Sequence, residues 1–136
     1  MNRAPTNDAN IRDALATRRI AVVGLSPKPS RDSHGVARYL IEHGYDVVPV
    51  NPREDTILGR TCYPDLAAVP GHIDVVDVFR DPSAVPDIAA ESVRIGADFL
   101  WLQYDVISDA GVAIAEAGGV RCIVDRCIKV EHARLR

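Results

Sequence analysis

Four cationic side chains lie in or beside segments that follow predicted strands, where cations are suited to bind an anionic ligand. Lys28 and Arg31 lie in a loop between a β-branched run that ends at Gly24 and the helix that comes next. A buried strand that passes through glycine into a helix N-terminus turns loop and first-turn N–H groups toward one point, which favours phosphate. Arg53 and Arg80 follow the second and third predicted strands. The pattern predicts a site for an anion with more than one negative charge.

The composition limits the classes of protein to consider. The 136 residues, 47% of them hydrophobic and 26% charged, predict one globular domain over residues 1–136. The net charge of −3 provides no basic field for nucleic acid or anionic lipid, so the anion site is expected to be a local patch. Three widely spaced cysteines favour a reducing compartment. Neither a membrane span nor a signal peptide is recognisable, and we expect a cytoplasmic protein.

Hydrophobic periodicity predicts five strands that alternate with helices. The strands are expected over residues 19–24, 46–50, 73–79, 99–103 and 120–125. The helices are expected over residues 6–18 (capped by Asn7 or Asp8), 33–43, 83–95, 108–117 (capped by Ser108) and a helical tail over 128–136, with a polar loop over 53–63 and a helical turn over 64–69.

Near-continuous apolar strands between helices are typical of a parallel sheet that is covered on both faces. We therefore expect a doubly wound α/β domain in three layers, with the strand order 3-2-1-4-5. Pro49 interrupts the second strand and cannot donate to a sheet ladder, which is evidence against a fully central position for that strand.

Ligands of such sheets bind outside the carboxyl ends of the strands, where the strand order reverses. This rule selects the segments 25–31, 51–53, 79–82, 103–104 and 125–127. NAD is disfavoured because no second glycine follows Gly24 before Gly35, and no carboxylate ends the second strand before Glu54. Arg53 could accept the extra phosphate of NADP, so that cofactor stays open. A nucleotide with a pyrophosphate and a ribose phosphate, such as coenzyme A (CoA), fits the same charges.

Five motifs resemble, in the same order, those of the stand-alone CoA-binding domain proteins, which are similar to the N-terminal Rossmann-like domain of the succinyl-CoA synthetase α subunit. The motifs are GLSPKP at 24–29, VNP at 50–52, DVFR at 77–80, WLQ at 101–103 and DRCIKVEH at 125–132. The resemblance covers about residues 11–134 and implies a Rossmann-like fold with CoA as its ligand.

The resemblance also implies roles for twelve residues. The CoA phosphates would be contacted by Ser26, Pro27 and Lys28, in the same loop as Gly24 and Leu25. The nucleotide part would be bordered by Asn51, Pro52 and Arg53, and its other side would be lined by Val78, Phe79 and Arg80. Gln103 would lie toward the pantetheine arm.

The chain departs from the synthetase because no second α/β domain with a phosphohistidine and no ATP-grasp segment follow the motifs. We therefore expect a protein that binds CoA or a short acyl-CoA and has no catalytic activity of its own. Two alternatives remain open: an NADP-dependent oxidoreductase that uses the same loop, and a regulatory subunit that senses CoA through a protein partner. The sequence leaves open whether the protein forms a homo-oligomer.

The remaining candidates for chemistry are cysteines and histidines. Cys122 is expected to be a small core residue. Cys127 follows the fifth strand near the expected pantetheine end, where its thiol either packs or forms a mixed disulfide with CoA. No histidine pairs with a cysteine at zinc spacing, so no metal site is expected. His34, in the first turn of a helix, either contacts a phosphate or faces solvent.

Three aspartates complete the set. Asp74 and Asp77 lie three residues apart in a strand, which puts them on opposite faces and prevents an acid–base pair. Asp77 is expected to be a buried acceptor for backbone N–H groups or an arginine. Asp125 is either a residue of the ligand site or a partner of Arg126 or Lys129.

Overall fold

A computed structural model of the protein describes residues 8–136, so Asn7, one of the two caps expected for the first helix, lies outside the described residues. The strands are β1 (Arg19–Val23), β2 (Asp46–Val50), β3 (Thr56–Ile57), β4 (Arg60–Thr61), β5 (Val75–Val78), β6 (Phe99–Leu102) and β7 (Arg121–Val124). The helices are α1 (Asp8–Leu15), α2 (Asp32–Glu42), α3 (Val85–Arg94), α4 (Asp109–Ala117) and α5 (Ile128–Leu135), with short 3₁₀ turns at Leu66–Ala68 and Pro82–Ala84.

Five of these strands form one parallel sheet, and helices cover both of its faces. The core on one face includes Leu15 of α1, Val36 of α2 and Ile128 of α5, whereas the core on the other includes Ile88 of α3 and Val112 of α4. This arrangement confirms the doubly wound, three-layer α/β fold. None of the helices within residues 8–136 is both long enough and apolar enough to span a bilayer.

The strand order differs from the expected one. The sheet runs β2-β1-β5-β6-β7, which is 2-1-3-4-5 when only its own five strands are counted, so the expected 3-2-1-4-5 is wrong. The physical reason lies in Pro49, whose carbonyl accepts from Tyr63 N–H (3.0 Å) on the side away from β1. With a third strand beyond β2, the missing N–H of Pro49 would leave a ladder bond unmade, whereas at the edge it does not.

The correction moves the point of reversal to the boundary between β1 and β5. β1 pairs with β2 on one side and with β5 on the other, and the loops after β1 and β5 therefore leave the sheet side by side. The loops after β1 and the fourth strand of the sheet, β6, are separated by β5.

Two local features differ from the expected ones. The expected polar loop over 53–63 contains the hairpin β3–β4, whose turn residues Leu58 and Gly59 both have positive φ (54° and 71°). Strands of two residues contain no apolar run that periodicity could detect. The third strand of the sheet starts at Val75, and the Asp74 carboxylate just before it accepts hydrogen bonds from the main-chain N–H groups of Arg18 and Arg19 (3.1 and 2.8 Å).

Asp77 is an isolated polar side chain in the middle of the sheet. It is fully buried in β5, in register with Val22 and Trp101, and both of its carboxylate oxygens lack a hydrogen-bond partner among the described residues. Its expected burial is confirmed, but the expected role as an acceptor is wrong: the Val22 side chain has no donor, and the Trp101 indole N–H donates to the Arg126 carbonyl instead (2.9 Å). Burial raises the pKa of Asp77 well above its usual range, which favours the neutral acid.

Because of the raised pKa of Asp77, we predict that the contribution of this carboxyl group to the stability of the fold decreases as pH rises. A folded-state pKa above the unfolded value of about 3.9 gives a contribution that is present below that value and is lost as pH rises through the folded pKa. The free energy of unfolding should fall by up to about 1.4 kcal/mol per pH unit in this window. The Asp77→Asn variant should lack this slope in urea titrations from pH 4 upward.

Wild type and variant share their other titrating groups, including Asp8 and Asp81, whose lowered pKa values make stability rise with pH. The difference between the two pH profiles therefore isolates Asp77. Parallel profiles would show that this carboxyl does not titrate differently in the folded and unfolded states.

Candidate functional site

The two loops at the reversal point meet at Gly24. Its φ of +86° lies in the region that favours glycine, and a Cβ atom at this position would overlap the carbonyl oxygen of Phe79 and lie 2.9 Å from Cδ of Arg80. The β1 and β5 loops are therefore in direct backbone contact. A residue with a side chain at position 24 would separate them.

The loop after Gly24 is held by short polar contacts. The Ser26 hydroxyl accepts from Lys28 N–H (3.1 Å), and the Ser33 hydroxyl accepts from Ser26 N–H (3.0 Å). His34 Nδ1 lies 3.0 Å from the Ser26 carbonyl oxygen, and the His34 ring is buried. His34 thus stabilises the loop, and its burial shows that one of the two alternatives left open for it, a solvent-facing ring, is wrong.

The loop leads into α2 with a residue that cannot cap it. Arg31 occupies the N-cap in an extended conformation and makes no side-chain cap bond, since a guanidinium has no acceptor. N–H groups in the first turn of a helix attract anions when the N-cap residue leaves them without a hydrogen bond. A cavity of about 600 Å³ lies against this end, lined by Gly24, Ser26, Lys28, Ser30, Arg31, Asp32, Ser33 and Phe79.

A second cavity of about 800 Å³ continues from the first. The two share Ser30, Arg31, Asp32 and Phe79, so that they form one groove. The second part is also lined by Pro29, Gly35, Val36, Arg80, Asp81, Gln103, Tyr104, Val106, Cys127, Lys129 and Val130. We call the first cavity the cradle and the second the channel.

The groove brings together half of the residues predicted from the sequence. Gly24, Ser26 and Lys28 line the cradle, Phe79 lines both parts, and the channel wall includes Arg80 and Gln103. The Gln103 side chain is buried, and its Oε1 accepts from Ile128 N–H (3.1 Å) at the start of α5. Gln103 therefore also fixes the helix that forms the opposite wall.

The other six predicted residues do not line the groove. Leu25 and Val78 are fully buried core residues, and Val78 packs on the sheet face opposite to Leu25. Asn51 connects two loops, since its amide donates to the Leu25 carbonyl (3.0 Å) and accepts from Arg53 N–H (2.9 Å). The exposed residues Pro27, Pro52 and Arg53 complete this group.

Several groove residues were not singled out from the sequence as ligand-binding residues. Lys129 and Val130 come from α5, which was expected only as a helical tail. Gly35 and Val36 lie in the first two turns of α2, directly after the loop. The position of Gly35 could have indicated this part of the groove. A glycine inside a helix lowers the stability of the helix, and its usual benefit is that a neighbour or ligand can approach the backbone closely.

The three cysteines are buried and unpaired. Cys122 lies in the core, where burial raises its pKa to about 12, and burial also raises the pKa of Cys62. Cys127 lines the channel at the N-cap of α5. The expected core position of Cys122 is confirmed, and Cys127 lies in the wall of the groove.

Two acidic groups near the groove, Asp81 and Asp125, have local partners. Asp81 accepts from the N–H and hydroxyl of Ser83 (2.9 and 2.7 Å), and these bonds lower its pKa. The Asp125 carboxylate accepts from Asp105 N–H (2.9 Å), a partner that differs from both of those expected. At the other end of the strands, before β5 and β6, His72 and two aspartates (74 and 98) place three ligand-type atoms within 4.8 Å of one another, and the hydrogen bond to Asp98 raises the pKa of His72.

The fold and the groove define a Rossmann-like α/β domain with cationic side chains at the carboxyl ends of its strands. Within this class, the chain belongs to the CoA binding domain family, which matches residues 18–133. The protein YneT of Bacillus subtilis is 38% identical over 126 residues, or 92% of this chain and 93% of YneT. A solved structure of a hypothetical protein from Pyrococcus horikoshii superimposes with a TM-score of 0.92 at 38% identity, and covers 99% of this chain and 98% of that one.

A more distant relative is an acetate–CoA ligase (ADP-forming) II of Archaeoglobus fulgidus, with 28% identity over 89 residues. The matched segment is 64% of this chain but 13% of the ligase. The chain therefore corresponds to a small part of that enzyme.

The contact at Gly24 predicts an unusual sensitivity to a methyl group. Gly24→Ala should destabilise the fold through positive φ and through overlap with a backbone carbonyl. Gly119, at φ +84° with open space around it, is a matched control for the first effect alone. In urea unfolding, Gly24→Ala should lower the free energy of unfolding by about 1–3 kcal/mol more than Gly119→Ala does. Equal losses in the two variants would show that the β1 and β5 loops can move apart at no cost in stability.

Proposed function

We propose that this protein binds CoA or a short acyl-CoA in the groove and performs no reaction on it alone. In this proposal the diphosphate occupies the cradle, over the loop at Ser26 and Lys28 and the N-terminus of α2. The pantetheine arm follows the channel past Phe79 and Gln103 toward Cys127.

The observation that carries the proposal is the continuity of the groove from a cationic end to a less polar end. Lys28 and Arg31 line the cradle, next to the α2 N-terminus, and Arg80 lines the channel. CoA has the same distribution of chemistry, with its phosphates at one end and a neutral arm with a thiol at the other. Membership of the CoA binding domain family supports this ligand over other nucleotides.

The side chains of the groove support a binding role without catalysis. Among the described residues that line it there is no histidine. The Asp81 carboxylate is bonded to Ser83 and has a lowered pKa, so it is a weak general base. Asp77 has a raised pKa but is completely enclosed.

Calorimetric titration with CoA, acetyl-CoA, NADP and NAD tests the proposal. We expect binding of CoA or acetyl-CoA and none of NAD. The double variant Lys28→Ala/Arg80→Ala should weaken CoA binding by on the order of tenfold or more. Lys28 lines the cradle and the Arg80 side chain passes beside Gly24, where the cradle meets the channel, so each cation can make a charge-assisted contact to phosphate. The affinity of the double variant should also depend less on salt concentration.

The control is Arg38→Ala/Arg94→Ala, which removes the same charge from exposed positions outside the groove. It should leave CoA affinity within about twofold. Binding of NADP without binding of CoA would reverse the assignment in favour of an oxidoreductase. If Lys28→Ala/Arg80→Ala bound CoA as tightly as the control variant does, the phosphates would have to bind outside this part of the groove.

The channel can be filled at Gly35 without disturbing the fold. A Cβ atom there would meet no atom within 4 Å, and the residue lies within α2. Gly35→Leu should therefore keep or raise stability by about 0.5–1 kcal/mol, since glycine is a poor helix former. The added side chain should weaken CoA binding by roughly tenfold through overlap with the pantetheine arm. Gly35→Ala, with a single methyl group, should bind nearly normally; full CoA affinity of Gly35→Leu would exclude the channel as the binding path.

A further inference from the structure

The outer end of the channel carries exposed apolar side chains that the core does not use. Among the described residues, the exposed large hydrophobic side chains are Tyr104 (54% exposed), Ile107 (40%), Ile114 (38%) and Val130 (46%). Tyr104 and Val130 both line the channel, and Ile107 follows the channel residue Val106. Two of the four therefore lie in the channel wall, and we call this part of the wall, formed by Tyr104 and Val130, the rim; Ile107 and Ile114 do not line the channel.

Tyr104 lies in a turn whose conformation is constrained by hydrogen bonds. Val106 N–H donates to the Gln103 carbonyl (3.0 Å), which closes a turn with Tyr104 and Asp105 at its centre. Asp105 has a φ of +64°, and its N–H donates to the Asp125 carboxylate (2.9 Å). A residue at positive φ that is bonded to a second loop is fixed in place, so Tyr104 is held out of the core.

Val130 faces the channel from the opposite wall, on α5. The first turn of this helix is fixed by the bond from Ile128 N–H to Gln103, so the position of Val130 relative to the Tyr104 turn is also set. The neighbouring Lys129 ammonium is exposed and lies 5.5 Å from the centre of the Tyr39 ring, a cation–π contact that directs it toward α2. Tyr104 and Val130 are therefore the exposed apolar side chains of the channel wall.

The groove as a whole is matched to an amphiphile. Two cations, Lys28 and Arg31, line its cradle, its channel passes the buried Cys127, and its rim carries the exposed apolar side chains of Tyr104 and Val130. We propose that this rim binds the acyl chain of an acyl-CoA thioester, so that the protein prefers short saturated acyl-CoA to free CoA. The inference rests on the proposed function, because it assigns the part of the ligand that lies beyond the CoA thiol.

The test is a calorimetric series with CoA and its acetyl, butanoyl and hexanoyl thioesters, all below their micellar concentrations. A fully buried methylene improves affinity about fourfold, so a half-exposed rim should give about twofold per methylene from acetyl to hexanoyl. Val130→Ser should flatten this dependence on chain length; because each variant's affinities for the thioesters are compared with its own affinity for free CoA, a change in CoA binding itself does not affect the comparison. Tyr104→Ser should act in the same direction.

Ile114→Ser is the matched control, since it removes an equally exposed apolar side chain away from the groove. It should retain the full dependence on chain length. Equal affinity for CoA and all three thioesters would overturn the acyl site and leave CoA binding intact. Failure of wild type to bind CoA and every thioester would overturn the proposed function itself, and a dependence on chain length that persists in Val130→Ser and Tyr104→Ser would overturn the location.

Discussion

The backbone contact between Gly24 and Phe79 is the constraint on which the site depends. It exists because β1 lies directly beside β5, so that two loops distant in sequence leave the sheet at adjacent points. A side chain at position 24 would push the β5 loop away from the β1 loop, between the cradle and the channel. Because Gly24 has no Cβ atom, the two loops stay in contact and the cradle and the channel form a single groove.

The walls of the groove come from elements that are fixed by different interactions. The loop after β1 is held from behind by Ser33 and His34, both in the first turn of α2. The far wall is held by Gln103, whose amide oxygen caps α5. Because each wall is bonded to a neighbour that is itself buried, the groove can be largely formed before a ligand arrives, which reduces the ordering cost of binding.

Periodicity predicted the five strands of the sheet and their helices, because apolar runs and glycine stops are local signals. The strand order was predicted incorrectly, although Pro49 already indicated an edge position for β2. Residues that follow strands, such as Lys28 and Arg80, were found from the rule on carboxyl ends. Val130 was not found, because its place in the groove depends on how α5 packs across the sheet. The solitary burial of Asp77 likewise depends on neighbours from β1 and β6, which no local pattern shows.

The edge position of β2 has a consequence for the behaviour of this protein in concentrated solution. The outward main-chain groups of Pro49 and Asn51 are already bonded to Tyr63, and proline supplies no donor of its own. A strand from another molecule that approached this border would have to displace the Tyr63 segment and would then find an incomplete row of partners. This flank of the sheet is accordingly protected against strand-by-strand self-association.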